Sequence, residues 1–297
     1  MVDSEKIIRH VNNPILFIFL ASFLFGLGSV LSKKVGYAYA SDNIHPLQIV
    51  FARFFFALII VSLIVLFKRS GFKRPNFKLH ITRSACGWTG VAILFSGVIF
   101  IPASDAVAIT FLNPVFAMLL AVFVFKERLK INRWIATFIS LLGMFVLLRP
   151  TLDFESNLFA YLCLAGAFII GIEILLIKVL SEREPFLQIL FINNFIATII
   201  GIVPMIFFFK VPNLFQLIEL ISIGVAMVLG QFFFLSAMKG TETTFIAPFF
   251  YSTLVFVMIL DLVFFGVIPD IISLVGASLI IIGGLFISLK INFKVFN

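Results

Sequence analysis

Apolar residues run through this chain in blocks of about twenty, broken by short clusters rich in Lys, Arg, Pro, Asn and Asp. A helix rises about 1.5 Å per residue and a bilayer core is about 30 Å thick, so about twenty apolar residues make one crossing. Ten such blocks are present, at approximately 14–32, 47–67, 84–101, 104–125, 132–148, 157–177, 186–209, 214–237, 243–265 and 269–288. Irregular backbone cannot face lipid, so the connections are expected to be short and to lie at the two membrane surfaces. The pattern predicts an all-α membrane protein of ten transmembrane helices.

Charge orients the spans. With a cytoplasmic N-terminus, seventeen Lys and Arg fall on cytoplasmic segments, and four (Lys33, Lys34, Arg149 and Lys210) on the other side. Arg53 is the one placed inside a span. The basic excess on one side predicts a multi-pass protein of the inner (plasma) membrane with both termini cytoplasmic. The chain is 62% hydrophobic and 12% charged, with a mean hydropathy of +1.20, which leaves no room for a separate soluble domain. Its net charge of +8 sits in short runs between spans, where topology is the expected task, so no nucleic-acid partner is expected. The opening MVDSEKIIRHVNNP leads into the first span without a small-residue cleavage site, and that helix is expected to be retained. Cys86 and Cys163 fall in apolar segments and read as small buried hydrophobes.

A shift of 140 residues lays QIVFARFFFALII (48–60) over QILFINNFIATII (188–200) with seven identities in thirteen, beginning at Gln48 and Gln188. The same shift pairs span four with nine and five with ten, and carries Gly143 onto Gly283. Residues 1–150 and 151–297 are then expected to be two five-helix copies of one unit. Five is odd, so the second copy enters the membrane from the opposite side. Inverted repeats of this kind place a central site at their interface, and rocking the halves opens it to either side.

The Arg in FARFFFAL (Arg53), the run from Asn113-Pro114 to Lys126-Glu127, the Gly143 region, Gln231 before Ser236-Ala237, and Ala247-Pro248-Phe249-Phe250-Tyr251-Ser252 carry a resemblance over almost the whole chain. Together with ten spans, they resemble the drug/metabolite transporter superfamily, and within it the EamA-type transporters with two EamA repeats. That resemblance implies substrates ranging from exported amino acids to imported S-adenosylmethionine or riboflavin. One departure stands out: that family usually closes span nine with Gly-Glu, whereas here Gly266 is followed by Val267.

Ionisable side chains inside spans cost roughly 2.5–3.5 kcal/mol on insertion scales and so point to function. Arg53 is suited to a substrate carboxylate or phosphate, with snorkelling or a structural pairing as the alternative. Glu173, deep in span six, suits proton coupling or a substrate cation; an internal pair with Arg53 is its alternative. Asp261 and Asp105 lie nearer helix ends, where they meet water. His10, His45 and His80 all fall in predicted loops, so no intramembrane metal or histidine relay is expected, and no cofactor. Pro114 and Pro248 are expected to kink the same helix of each copy and make it a cavity wall. The candidate substrate site is Arg53, Trp88, Asn113, Glu173, Asn193, Gln231 and Tyr251, although buried Asn and Gln also serve as interhelical glue.

The expected function is secondary-active transport of a small organic metabolite by alternating access, proton-coupled or by exchange. A multidrug or lipid exporter of the same fold is the alternative. An intramembrane enzyme is remote, since the chain lacks GxSxG, HExxH and any clustered carboxylate motif. The expected partners are the substrate and membrane lipids; a homodimer is left open.

Overall fold

A computed structural model of the chain describes residues 13–37, 44–68, 71–100, 109–127, 131–148 and 158–295. Its helices in order are α1 (Pro14–Tyr37), α2 (Pro46–Lys68), α3 (Phe77–Phe100), α4 (Asn113–Phe125), α5 (Ile131–Leu148), α6 (Leu158–Arg183), α7 (Phe186–Phe208), α8 (Leu214–Met238), α9 (Thr243–Phe250), α10 (Ser252–Phe265) and α11 (Ile271–Val295). Among the described residues seven spans are long and apolar enough to cross a bilayer, with α9 and α10 together forming one of them. Asn113–Phe125 and Ile271–Gly283 are shorter apolar helices. Large apolar side chains such as Phe67, Phe123 and Phe207 stand exposed on the outer surface, as a lipid-facing bundle requires. The chain is a multi-pass membrane protein, with ten helical spans among the described residues, the fourth and ninth of them interrupted.

Helix packing obeys the repeat. The main contacts are α1 on α8 and α3 on α6, then α10 on α1 and α4 on α6, then α8 on α2 and α3 on α7. Exchanging the halves turns the first member of each pair into the second. The contacts α2 on α7 and α5 on α11 map onto themselves, so they lie on the pseudo-two-fold axis. Single residues repeat the relation. Gly171 on α6 abuts Phe116 of α4, and Gly26 on α1 abuts Phe256 of α10. Likewise Gly90 on α3 abuts Ile170 of α6, and Gly230 on α8 abuts Phe25 of α1. Helix α1 therefore maps onto α6 with a shift of 145 residues, against 140 for the other helices.

On the axis, α5 and α11 touch backbone to backbone. A Cβ on Gly143 would lie 2.7 Å from the Gly276 carbonyl oxygen and 2.8 Å from the Ile280 nitrogen. Small residues at such a seam let two membrane helices approach closely, which is what holds them together where lipid removes the hydrophobic drive.

Spans four and nine break at equivalent places. In span four a turn at 111–112 precedes α4, with Pro114 in its first turn, where a missing N–H costs nothing. In span nine the break falls at Tyr251, after Pro248 has withheld one donor from α9. The carbonyls left bare are capped alike: Asn113 Nδ2 donates to the Thr110 oxygen at 2.8 Å, and Thr253 Oγ1, its mate, donates to the Phe250 oxygen at 2.8 Å. Ser252 Oγ also donates to the Phe249 oxygen at 2.7 Å.

Span three departs from the sequence expectation. Its helix starts at Phe77 instead of 84, so His80 and Arg83, expected in a loop, lie inside it and are fully buried. His80, Arg83, Ser84, Gly87 and Gly90 form one inward face at helical spacing, while Ile81 and Thr82 face out. Hydropathy ends a span at its first charges; here the charges point into the protein. His80 Nε2 meets Glu184 Oε2 at 2.8 Å.

The matched glutamines hold the ends reciprocally. Gln48 donates to the Lys210 oxygen at 2.6 Å and accepts from the Lys210 nitrogen at 2.9 Å, fastening the α7–α8 connection. Gln188 accepts from the Lys73 nitrogen at 2.8 Å, fastening the α2–α3 connection. Asp261 pairs with Lys33 at 3.0 Å, and Glu219 with Lys34 at 2.8 Å. Asp105 and His10 lie outside the described residues.

Candidate substrate site at the crossing of α2, α3, α6 and α7

Helix α3 brings Arg83, Ser84, Gly87 and Trp88 to the interior, and α6 sets Glu173 against them. A Cβ on Gly87 would lie 2.7 Å from Glu173 Oε1, so the carboxylate occupies the room that the missing side chain leaves. Glu173 keeps 16% of its side chain exposed, while Arg83 keeps none. Their nearest approach, Arg83 Nε to Glu173 Oε1, is 3.8 Å, too long for a hydrogen bond. Arg83 Nη1 reaches the Ile189 oxygen at 3.5 Å, a marginal contact, and Arg83 Nε and Nη2 have no hydrogen-bond partner. A buried guanidinium so poorly supplied is costly.

Arg53 on α2 lies over the Phe54 ring, 4.7 Å from its centre, and interacts electrostatically with the same Glu173. From α7, Asn193 Oδ1 accepts from Ser84 Oγ at 3.1 Å, leaving Asn193 Nδ2 unpartnered. Trp88 packs with Phe54, Val50 and Ala197, and its buried indole N–H also lacks a partner. The structure thus brings Arg53, Trp88, Glu173 and Asn193 to one crossing and adds Arg83 and Ser84.

The other candidates lie elsewhere. Tyr251, fully buried with an unpartnered hydroxyl, packs among Met144, Leu254, Ala277 and Ile280, beside the α5–α11 seam. Asn113 caps the break before α4, its Oδ1 unpartnered. Gln231 sits on α8 with a buried, unpartnered Oε1. Pro114 and Ala247 line a small apolar cavity that Ile174, Phe234 and Phe250 also border, one residue along α6 from Glu173.

At this crossing the two copies part company. The repeat carries Glu173 onto Gly28 and Gly87 onto Met227. Met227 is the side chain that fills the space at Gly28. One copy therefore plugs the position with a thioether on a glycine; the other fills it with a carboxylate on a glycine.

Glu127 closes one end of the bundle. Its Oε1 and Oε2 accept from the Thr243 and Thr244 backbone nitrogens at 2.9 and 3.0 Å, capping the start of α9, while Arg133 bonds Glu242 and Thr244 beside it. The residue that the repeat places opposite Glu127 is Val267.

Residues 12–149 and 157–289 each match the model of the EamA-like transporter family. The chain belongs to that family. This EamA protein is 27% identical over 277 residues to an S-adenosylmethionine uptake transporter of Rickettsia prowazekii (strain Madrid E), covering 93% of this chain and 92% of the relative. It is 25% identical to a pseudopaline exporter, CntI, of Pseudomonas aeruginosa (strain UCBPP-PA14), covering 94% of this chain and 96% of the exporter. A solved crystal structure superposes with a TM-score of 0.81 at 16% identity, over 93% of this chain and 96% of that one. The EamA fold thus has solved counterparts.

Sequence reasoning missed Arg83 and Glu127's role. The signal for Arg83 was present as the i, i+3, i+4, i+7 spacing of His80, Arg83, Ser84 and Gly87. Nothing local in the sequence pointed from Glu127 to Thr243.

Proposed function

We propose that this EamA protein is a secondary-active carrier of a small organic metabolite, working by alternating access in the inner membrane with both termini cytoplasmic. The observation that carries the reading is the Arg53, Arg83 and Glu173 group: three ionisable side chains at the repeat interface, incompletely paired, at a crossing where the copies differ sharply. Charges kept in a membrane interior without full partners are there for cargo or ions. The uptake relatives favour a metabolite of the S-adenosylmethionine type as substrate, with other amino-acid-like, nucleoside-like or vitamin-like compounds as the wider class.

Glu173 is the coupling residue in this reading. Charged, it offsets one of the two guanidinium groups and leaves a single positive charge for the cargo; neutral, it leaves both, so its protonation sets how strongly an anionic group is held. Trp88 and Asn193 shape the site, while Asn113, Gln231 and Tyr251 contribute polar groups on the helices that move around it. The chain carries no nucleophile and base in a known catalytic spacing, and we take it as a carrier and not an enzyme. It works without cofactor or nucleic acid, as a monomer or a homodimer.

The test is uptake of labelled S-adenosylmethionine, amino acids, nucleosides and riboflavin into proteoliposomes, with and without a pH gradient, for wild type and Glu173→Gln. Transport of at least one compound, with loss of its pH response in the variant, is the expected result. Wild-type vesicles that take up none of them, in either direction, refute the reading. The exporter relative favours outward movement as the second reading; loading the same vesicles from inside separates the two.

A further inference from the structure

We infer that Arg83 is the anchor for a single carboxylate of the transported molecule, taken in a two-pronged grip on its Nε and Nη2 edge; this rests on the carrier reading above. Three observations lead there. First, the unpartnered nitrogens of Arg83 are Nε and Nη2, and they are neighbours on one edge of the planar guanidinium. Two parallel N–H groups on one edge match the two oxygens of a carboxylate. The remaining nitrogen, Nη1, faces the Ile189 carbonyl at 3.5 Å, on the other side of the group.

Second, Glu173 stands at that same edge, 3.8 Å from Nε, close enough to offset charge and too far to bond. It faces that edge without bonding it. An entering carboxylate takes the bonds that Glu173 does not make, and Glu173 moves aside on the glycine surface of Gly87.

Third, the charge count selects the ligand. With Glu173 ionised, Arg53 and Arg83 leave one net positive charge, which one carboxylate neutralises. A phosphate carries about 1.5–2 negative charges at neutral pH and overshoots. Trp88, with its indole N–H unpartnered one turn beyond Ser84, supplies a flat, dry wall for the rest of the molecule.

The experiment uses the full-length protein in lipid nanodiscs, labelled with ¹⁵N-arginine, with the Arg83 Nε–H signal assigned by its absence in Arg83→Gln. Acetate, inorganic phosphate and ethylammonium are titrated separately, with chloride as the ionic-strength control. Saturable movement of the Arg83 signal with acetate, and about tenfold weaker movement or none with phosphate, is the expected result. In Arg83→Lys, which keeps the charge and loses the fork, acetate binding read through the Trp88 indole signal of ¹⁵N-tryptophan-labelled protein is about tenfold or more weaker than in wild type labelled the same way. An Arg83 signal that follows acetate no more than chloride, or that responds better to phosphate, overturns the inference. The outcome is separate from the transport assay: acetate binding at Arg83 in a protein that moves no metabolite sinks the carrier reading alone, and transport with a silent Arg83 sinks the anchor alone.

Discussion

Adding one methyl group at Gly87 should slow transport at least tenfold while leaving the fold standing. A Cβ there meets Glu173 Oε1 at 2.7 Å, Cδ at 2.8 Å and Oε2 at 2.9 Å, all inside ordinary contact. The obstructing atoms are the end of a flexible side chain, so relief comes from moving the carboxylate by about 0.7 Å, and helix packing need not change. That shift weakens the attraction to Arg83 by about 0.7 kcal/mol at an effective dielectric of 20, starting from a separation of 3.8 Å. Exchange of Gly for Ala inside a helix gives back up to about 1 kcal/mol, so the net change in stability is close to zero. The site loses more, because misplacement of a functional group by an ångström costs up to about a hundredfold in comparable settings. The control is Gly28→Ala, the same crossing in the other copy, where the added methyl meets the end of the Met227 side chain. Thermal unfolding in detergent and vesicle uptake of the metabolite that wild type accepts are measured on both. Equal unfolding temperatures, with uptake reduced at least tenfold in Gly87→Ala and near wild type in Gly28→Ala, is the expected pattern. Equal uptake by the two variants would refute the claim that the functional asymmetry lies in this carboxylate.

Glu127→Ala removes two charge-assisted bonds to the start of α9 and should cost about 1–2 kcal/mol, read as a lower unfolding temperature. It should also raise the rate at which a cysteine at the buried Ile246 is labelled from the aqueous phase; unchanged labelling counts against Glu127 as a clasp. Gln48→Leu and Gln188→Leu should each destabilise by about 1–3 kcal/mol by stranding backbone groups of the connection they hold, and their effects should add, since they act on different loops. A double variant no less stable than either single one would contradict this. Gly143→Val should be far more damaging than Gly87→Ala, because its new atoms meet backbone on Gly276 and Ile280 that cannot rotate away; loss of folded protein in size-exclusion profiles is the readout.

The spans were legible because lipid demands unbroken apolar runs, and the repeat because QIVF and QILF do the same job, each glutamine fastening a connection of the other half. Span three was misread at its start for the same reason that others were read well. Lys78 and Arg83 look alike to a hydropathy count, yet Lys78 points out and Arg83 points in, and only the helical phase tells them apart. The site was half legible: Arg53 and Glu173 announce themselves by their cost, but the third charge was hidden in a presumed loop. Asn113, Gln231 and Tyr251 were grouped with them on polarity alone, and polarity does not encode which face of a bundle a residue meets. Glu127 could be seen to close span four, while the α9 nitrogens it caps lie 116 residues away, a distance only folding removes.

Glu127 and Val267 also bear on where such a molecule rests. Two identical halves exchanging roles would make closure at either end equally favourable, and a carrier so built would spend as long facing one way as the other. The carboxylate clasp on α9 lifts that degeneracy, because its mate is a valine that can accept no bond. Two charge-assisted bonds are together enough to tilt such an equilibrium by a factor of ten or more, at roughly 1.4 kcal/mol per decade. In the carrier reading, the repeat supplies the symmetry that makes switching cheap, and a carboxylate present in one half alone gives the molecule a preferred direction to face.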